Sequence, residues 1–568
     1  MTIAENHGPA SLQTPVPFNF SPLGLAAVIF TFALICYLPF PVGAPLAGTE
    51  GHRAMTAHQM VESGQWTVPM MWGRVYLAKP PLHYWIIATF EKISGRATPF
   101  IWRLPSAIEA ALTAAMLSLF AGRWFGRIAA CVAGVSSVAM IALWGENRGA
   151  DIDVTNTLAA NFAALCLIEL HFNSPIRPLR WILAAGAGIG AALLVKGPAG
   201  MTIILGPILW FAILSIRNRH WSAFGRLSIW VPLLIGTTLF LTWYFTCKHY
   251  LKSHALLPDL TGVNEGIQDL LPHDWGWKRS IEWIFLPITL FLYTLPISLG
   301  LPLSMLREVR GNDARRDRLM AALAATVFLA WGVCFISGMH LPRYAYVTLP
   351  ILCVLAGAVS AYVPGAPPGF VRWMRVIAFW SIVIFGGAVL VIGGLLWKHA
   401  EIRPLLIATA LAAVAISWTG AHSLASRPDG WKPLWAIPIL LFVLSISLGQ
   451  YAFYDRVRRS CLIPAKQIRD IVGEDAHLVT CQMVLDQPDL FYYIGLPTRA
   501  TNDDLLDWRP LPSGTWAILE PLELEAWQAK VPERIVRIYP IMANKNKGYL
   551  VWYAMSHPAK PEVPLDPP

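Results

Sequence analysis

Long apolar runs separated by short polar loops set the pattern of this chain. A helix needs about 20 mainly apolar residues to cross a bilayer. Runs of that kind lie near 22–42, 104–121, 128–144, 154–172, 180–195, 198–216, 229–247, 283–304, 319–337, 344–363, 376–397, 404–424 and 433–453. The pattern predicts about thirteen spans, the short neighbouring pair 180–195 and 198–216 being the weakest. Two longer segments interrupt the rhythm, at 43–101 and 248–280. From 455 to 568 strand-like runs (477–481, 515–519, 534–539, 548–553) alternate with a helix-like stretch at 523–530, bounded by prolines. That alternation reads as a small α/β unit. The expected fold class is an all-α polytopic membrane protein, residues 1–454, carrying a C-terminal extracytoplasmic α/β domain, residues 455–568.

Composition agrees and narrows the class. Over 568 residues, 55% are hydrophobic and 14% charged, where an ordinary soluble domain carries about a quarter charged residues. A soluble enzyme, a disordered chain and a disulfide-stapled secreted module are excluded. The net charge of +10 does not mean nucleic acid, because the cations sit in short loops and form no basic tract.

Every second loop is basic: Arg123 and Arg127; Arg177 and Arg180; Arg217, Arg219 and Arg226; Arg307 to Arg318; Arg372 and Arg375; Arg427 and Lys432. The alternate loops hold lone cations. By the positive-inside rule the N-terminus is cytoplasmic, and the long segments and the tail face outward. With no Lys or Arg before it and no small-residue cleavage pattern after it, the first run is expected to be a retained helix. Cys461 and Cys481 both fall in the tail, as a disulfide or by coincidence; the other six cysteines read as core.

Ionisable residues at membrane depth or helix mouths are functional candidates by default. Glu50, His52 and Arg53 open a stretch with a helical apolar stripe (Ala54, Ala57, Met60, Val61), either an interfacial helix with solvated charges or part of a site. Lys79 precedes two prolines that make a rigid corner beside an aromatic belt in the stretch 76–85. Glu146, Arg148, Asp151 and Asp153 crowd one short loop, as a polar hairpin or as an ion-binding or acid/base site. His340, Arg343 and Tyr344 stand at the mouth of a late span, and Lys196 is another lone cation. An Arg fork suits phosphate, and several cations on one face beside carboxylates suit an anionic lipid head group plus a reacting centre.

These clusters, in this order, resemble the ArnT-type and protein O-mannosyltransferase-like branch of the GT-C glycosyltransferases. The likeness runs through TEGHRAMTAHQMVESGQWTVP, YLAKPPLHYW and WRLPSA (within 49–107), the Asp153 loop, LLVKGP (193–198) and HLPRYAYVTLP (340–350). It implies a GT-C membrane enzyme with a polyprenyl-phosphate sugar as donor. Glu50 and Asp153 would then be the catalytic carboxylates. Lys79, Arg53, Arg343, Tyr344, Lys196 and His340 would bind the donor phosphate and lipid, with His52, Asp151 and Arg148 as secondary candidates. The chain departs from the family pattern at Thr49, where the family carries Asp, at His52 for Arg, at Ala78 for a proposed metal-ligating Glu, and at His340 for Lys. No cofactor is required by this pattern, and a divalent metal is left open.

The expected function is transfer of a sugar from a polyprenyl-phosphate donor to an envelope acceptor, a glycolipid or a protein, at the outward face of the inner membrane, with inversion. A transporter or flippase of a lipid-linked sugar, or a non-catalytic lipid-binding relative, is the alternative. Transporters usually show repeated halves with interrupted helices, and none is visible.

Overall fold

The computed structural model describes residues 21–39, 43–144, 146–173, 175–221, 226–254, 285, 287–292, 294–306, 309, 313–336, 346–362, 368–426, 436–480, 487–500, 515–530, 535–543 and 546–553. The apolar runs become helices: α1 (Pro22–Tyr37), α4 (Pro99–Phe125), α5 (Arg127–Ala139), α6 (Ile152–Phe172), α7 (Pro178–Lys196), α8 (Thr202–Arg217), α9 (Leu227–Ser253), α10 (Ala314–Ile336), α11 (Leu349–Tyr362), α12 (Pro368–Leu396), α13 (Arg403–Ser426) and α14 (Ala436–Arg459). Among the described residues, eight helical stretches are long and apolar enough to cross a membrane, α7 and α8 forming one of them through the 3-10 turn Gly197–Met201. The run 283–304 is interrupted: residues 287–292 are helical, and after a turn come the 3-10 turn Ile297–Leu299 and the four-residue helix Gly300–Leu303. Pro296 stands at that interruption, immediately before the 3-10 turn, and has no N–H to continue the preceding helix.

Small residues let the spans approach closely, the usual basis of helix packing in lipid. Ala107, Ala111 and Ala114 of α4 and Ala160, Ala163 and Ala164 of α6 are buried. A Cβ on Gly188 of α7 would stand 2.9 Å from Ala163 Cβ. Large apolar side chains point outward on α9 (Leu234, Phe245), α12 (Trp380, Val391) and α13 (Leu411, Trp418). In water this arrangement would be costly; in a bilayer it is the lipid-facing surface.

The first long segment is structured. It contains helix α2 (Glu50–Ser63), the two-stranded ribbon β1 (Met70–Met71) and β2 (Arg74–Val75), and helix α3 (Leu82–Ser94). The stripe expected on α2 is its inner face: Ala54, Ala57 and Met60 are buried with Tyr84, Ile87 and Trp102. Glu91 of α3 ties three helices together, accepting from Trp102 Nε1 at 2.6 Å and lying 2.6 Å from His58 Nδ1. Of the second long segment, residues 255–284 lie outside the described residues.

After α14 the chain turns through α15 (Leu462–Val472) into a five-stranded sheet. Its order is β4 (Thr498–Ala500), β3 (Leu478–Thr480), β5 (Thr515–Leu519), β7 (Asn546–Tyr553), β6 (Ile535–Ala543); β3 runs parallel to β4 and β5, and the rest is antiparallel. Helices α16 (Pro488–Ile494) and α15 pack on it around Ile468, Leu490, Phe491 and Leu550, with α17 (Pro521–Lys530) following β5. Cys461 is buried with its thiol 3.4 Å from Gln487 Oε1, while Cys481 lies outside the described residues.

Candidate active site

Glu50 opens α2 and is buried under three elements. Arg103 of α4 grips it with two hydrogen bonds of 2.8 Å, and Arg456, at the end of α14, pairs with the same carboxylate. The backbone N–H groups of Ala47 and Ala150 add bonds of 3.1 and 3.0 Å. Burial alone would raise this carboxyl, but the Arg103 and Arg456 guanidiniums outweigh it and hold it down at about 2. Arg103 spends its other donors on the Ala44 and Pro45 carbonyls, both at 2.6 Å. The group at position 50 is therefore a permanently ionised hub with every oxygen occupied.

The α6 start holds the second carboxylate pair. Asp151 is not in the helix: it is the N-cap, in extended conformation, its side chain accepting from the Asp153 N–H at 2.8 Å. Asp153 stands in the first turn and forms an ion pair with Lys196 at the end of α7, joining two clusters far apart in sequence. Two residues within a helix would point about 200° apart. As the cap, Asp151 stands outside that helical spacing, and both carboxylates lie within electrostatic reach of Arg53 on α2. Burial disfavours the charge on Arg53, and the ionised Asp151 and Asp153 favour it. His52 lies beside Tyr76, ring centres 5.9 Å apart.

Lys79 is half-buried at the two-proline corner, four residues before His83, the second residue of α3. His83 is fully buried; its Nδ1 lies 2.8 Å from the Thr155 hydroxyl, which donates to Glu109 of α4 at 2.7 Å. Burial and the Arg53 charge press this imidazole down to about 3, against the pull of Asp151 and the Ala150 carbonyl.

Arg148 goes elsewhere. It is buried between α1 and α14, donating to the Cys36 carbonyl at 2.7 Å and to Ser445, with Trp144 4.1 Å from its guanidinium. His340, Arg343 and Tyr344 lie outside the described residues. Among the described residues no group of three or more His, Cys, Asp or Glu has metal-holding geometry.

The elements from Glu50 to Arg103 and from Asp151 to Lys196 thus converge on one buried polar region beneath the first long segment. Arg103, Arg456, His83, Thr155 and Glu109 are the members missed in the sequence. An ionisable residue inside a span, Glu109, was the available signal.

The family model described as dolichyl-phosphate-mannose-protein mannosyltransferase matches residues 78–245. An undecaprenyl phosphate-alpha-4-amino-4-deoxy-L-arabinose arabinosyl transferase of Shewanella sediminis is 27% identical over 477 residues, covering 81% of this chain and 82% of its own. A Pseudomonas fluorescens protein of the same description is 25% identical, covering 75% and 72%. The crystal structure of ArnT from Cupriavidus metallidurans bound to undecaprenyl phosphate superposes with a TM-score of 0.67 at 18% identity, covering 94% of this chain and 98% of that one. The chain is an ArnT-like membrane glycosyltransferase. The ArnT-like fold accounts for both parts of the molecule, the helical bundle and the sheet that follows it. This ArnT-like transferase is a multi-pass protein of the inner membrane.

Proposed function

We propose that the protein transfers a sugar from undecaprenyl phosphate or a similar polyprenyl phosphate to an envelope acceptor, glycolipid or protein, at the outward face of the membrane. The observation that carries this is the convergence of Arg53, Asp151, Asp153, Lys196 and His83 in one buried region beside the Lys79 corner. The relatives named as undecaprenyl phosphate sugar transferases support the donor class. On this reading the N-terminus is cytoplasmic, and the unit that follows α14 lies outside.

The roles follow from charge. The leaving group is a lipid phosphate, so cations aimed at it supply much of the rate, as preorganised electrostatics do in general. Lys79, Arg53 and Lys196 are assigned that task, and the family resemblance adds Arg343, Tyr344 and His340 to it. Displacement in one step inverts the anomeric centre. Of the two carboxylates, Asp153 is the reacting one, because Glu50 has no free oxygen and too low a proton affinity to act as base. Glu50 instead positions α2 and with it Arg53. If the acceptor is a hydroxyl, Asp153 takes its proton, released from Lys196 as the phosphate engages that cation; if it is a phosphate, Asp153 only orients it.

The test is release of undecaprenyl phosphate from undecaprenyl phosphate-linked sugars by the purified protein, paired with mass spectrometry of envelope lipids and proteins from a deletion strain. A missing sugar in the strain names donor and acceptor together. A purified protein that moves a lipid-linked sugar across vesicles without cleaving it would establish the flippase instead.

A further inference from the structure

Buried polar atoms are paired in nearly every folded protein, so unpaired ones need an explanation. Among the described residues His83 Nε2, Tyr84 Oη, Arg53 Nε and Thr56 Oγ1 are buried without a hydrogen-bond partner. They come from two packed helices, α2 and α3. His83 and Tyr84 both sense the Arg53 charge, and Thr56 follows Arg53 by one helical turn. Unsatisfied groups gathered on these two elements point to a polar guest.

The chemistry of His83 narrows the guest. The Thr155 hydroxyl has one proton and gives it to Glu109, so it meets His83 Nδ1 with a lone pair. Nδ1 therefore carries the ring proton, and Nε2 presents a bare lone pair. A ring titrating near 3 is too weak to serve as a general base near neutral pH. It remains a neutral hydrogen-bond acceptor. A phosphate oxygen has no proton to offer it, and an ammonium would place a second positive charge beside Arg53. A hydroxyl satisfies both conditions. Complete burial of His83 suits the small group being transferred better than a large acceptor that must enter and leave.

We propose that His83 is a specificity-determining residue whose Nε2 accepts a hydrogen bond from a hydroxyl of the donor sugar, with Glu109 and Thr155 holding the imidazole in the required tautomer. This rests on the donor reading above and adds to it the contact that distinguishes the sugar-linked lipid from the bare lipid phosphate.

The experiment measures binding of bare undecaprenyl phosphate, and of undecaprenyl phosphate carrying a hexose, a pentose or an aminopentose, to the full-length protein in detergent. In wild type the preferred sugar-linked lipid is expected to bind more tightly than the bare one. His83→Asn keeps an amide near the Nδ1 position and removes Nε2; it should lose tenfold or more for the sugar-linked lipid and nothing for the bare lipid. His83→Gln, with an amide oxygen near the Nε2 position, should recover part of that loss. Equal losses for both ligands, no loss for either, or a Gln variant no better than Asn overturns the assignment of His83 while leaving the donor reading intact. A wild type that binds none of these lipids overturns both, and one that gains nothing from any sugar overturns the His83 contact.

Discussion

Glu50 owes its charge to two guanidiniums, with almost no help from water. Removing one partner of a buried ion pair strands the other, at a cost of about 3–5 kcal/mol. Glu50→Gln should therefore lower the thermal stability of the detergent-purified protein by that order, alongside any loss of turnover; a variant as stable as wild type would return Glu50 to the list of free carboxylates. The pH dependence has a definite sign. A carboxyl depressed from 4.5 to about 2 contributes its full stabilisation above pH 4.5 and loses it as pH falls toward 2. Asp489 on α16 behaves oppositely: burial, with the Glu50 charge adding to it, raises its carboxyl from 3.8 to about 6. Its contribution is full below pH 3.8 and is lost as pH rises to 6, a shift of about two units or about 3 kcal/mol. Asp489→Asn should thus flatten the stability profile between pH 4 and 6 and gain on wild type at pH 7. Melting curves across that range decide it, and an unchanged profile would show that Asp489 ionises freely. Of these residues only Glu50 was legible in the sequence. Its partner Arg456 stands 406 positions away, at the start of what reads as the C-terminal unit, and no local pattern announces such a pairing.

At the scale of elements the sequence was far more informative, because a bilayer imposes one length and one polarity on every span. The apolar runs become helices wherever proline does not intervene, and the stripe on α2 is its buried face. What periodicity could not supply was the cap at α6. Asp151 reads as one of several charges crowded in a short loop, yet its side chain closes the helix end. Asn caps as well as Asp, and Ala costs about 1 kcal/mol. Asp151→Asn should consequently keep stability, so that any lost turnover in it reports the missing charge beside Arg53. Asp153→Asn should lose most turnover, and because it strands the largely buried Lys196 it should also lower the melting temperature, so turnover is read per folded protein. A transfer assay in which Asp153→Asn is near normal would exclude it as the reacting carboxylate. The contact between α2 and α16 offers a test without charge. A Cβ on Gly51 would come 2.9 Å from Asp489 Cβ and 3.1 Å from its backbone nitrogen. Gly51→Ala should cost about 1–3 kcal/mol through overpacking, read as a lower melting temperature; an unchanged melt would mean the two helices part easily.

Across the whole molecule, the first long segment and the unit after α14 are locked together. Tyr493 Oη accepts from the Leu46 N–H, Tyr492 donates to the Ala97 carbonyl at 3.2 Å, and Asp489 packs on Gly51, while Arg456 at the end of α14 pairs with Glu50. Groups that touch must lie on the same side of the membrane, so the orientation of the tail follows from that of the first segment. On the orientation proposed above, with the basic loops cytoplasmic by the positive-inside rule, both partners face outward. Exposed positions on each make this measurable with a membrane-impermeant thiol reagent, since the described cysteines are buried apart from the half-buried Cys131. Ser63→Cys at the end of α2 and Glu525→Cys on α17 stand on exposed residues. Both should be labelled from outside in cells with a sealed inner membrane, and neither should need permeabilisation. If both are protected until the membrane is opened, the protein is inverted, and the sugar donor would have to be met in the cytoplasm. If one is labelled and the other is not, the docking of the tail on the first segment is wrong, and with it the contacts of Tyr492, Tyr493 and Asp489 across that seam.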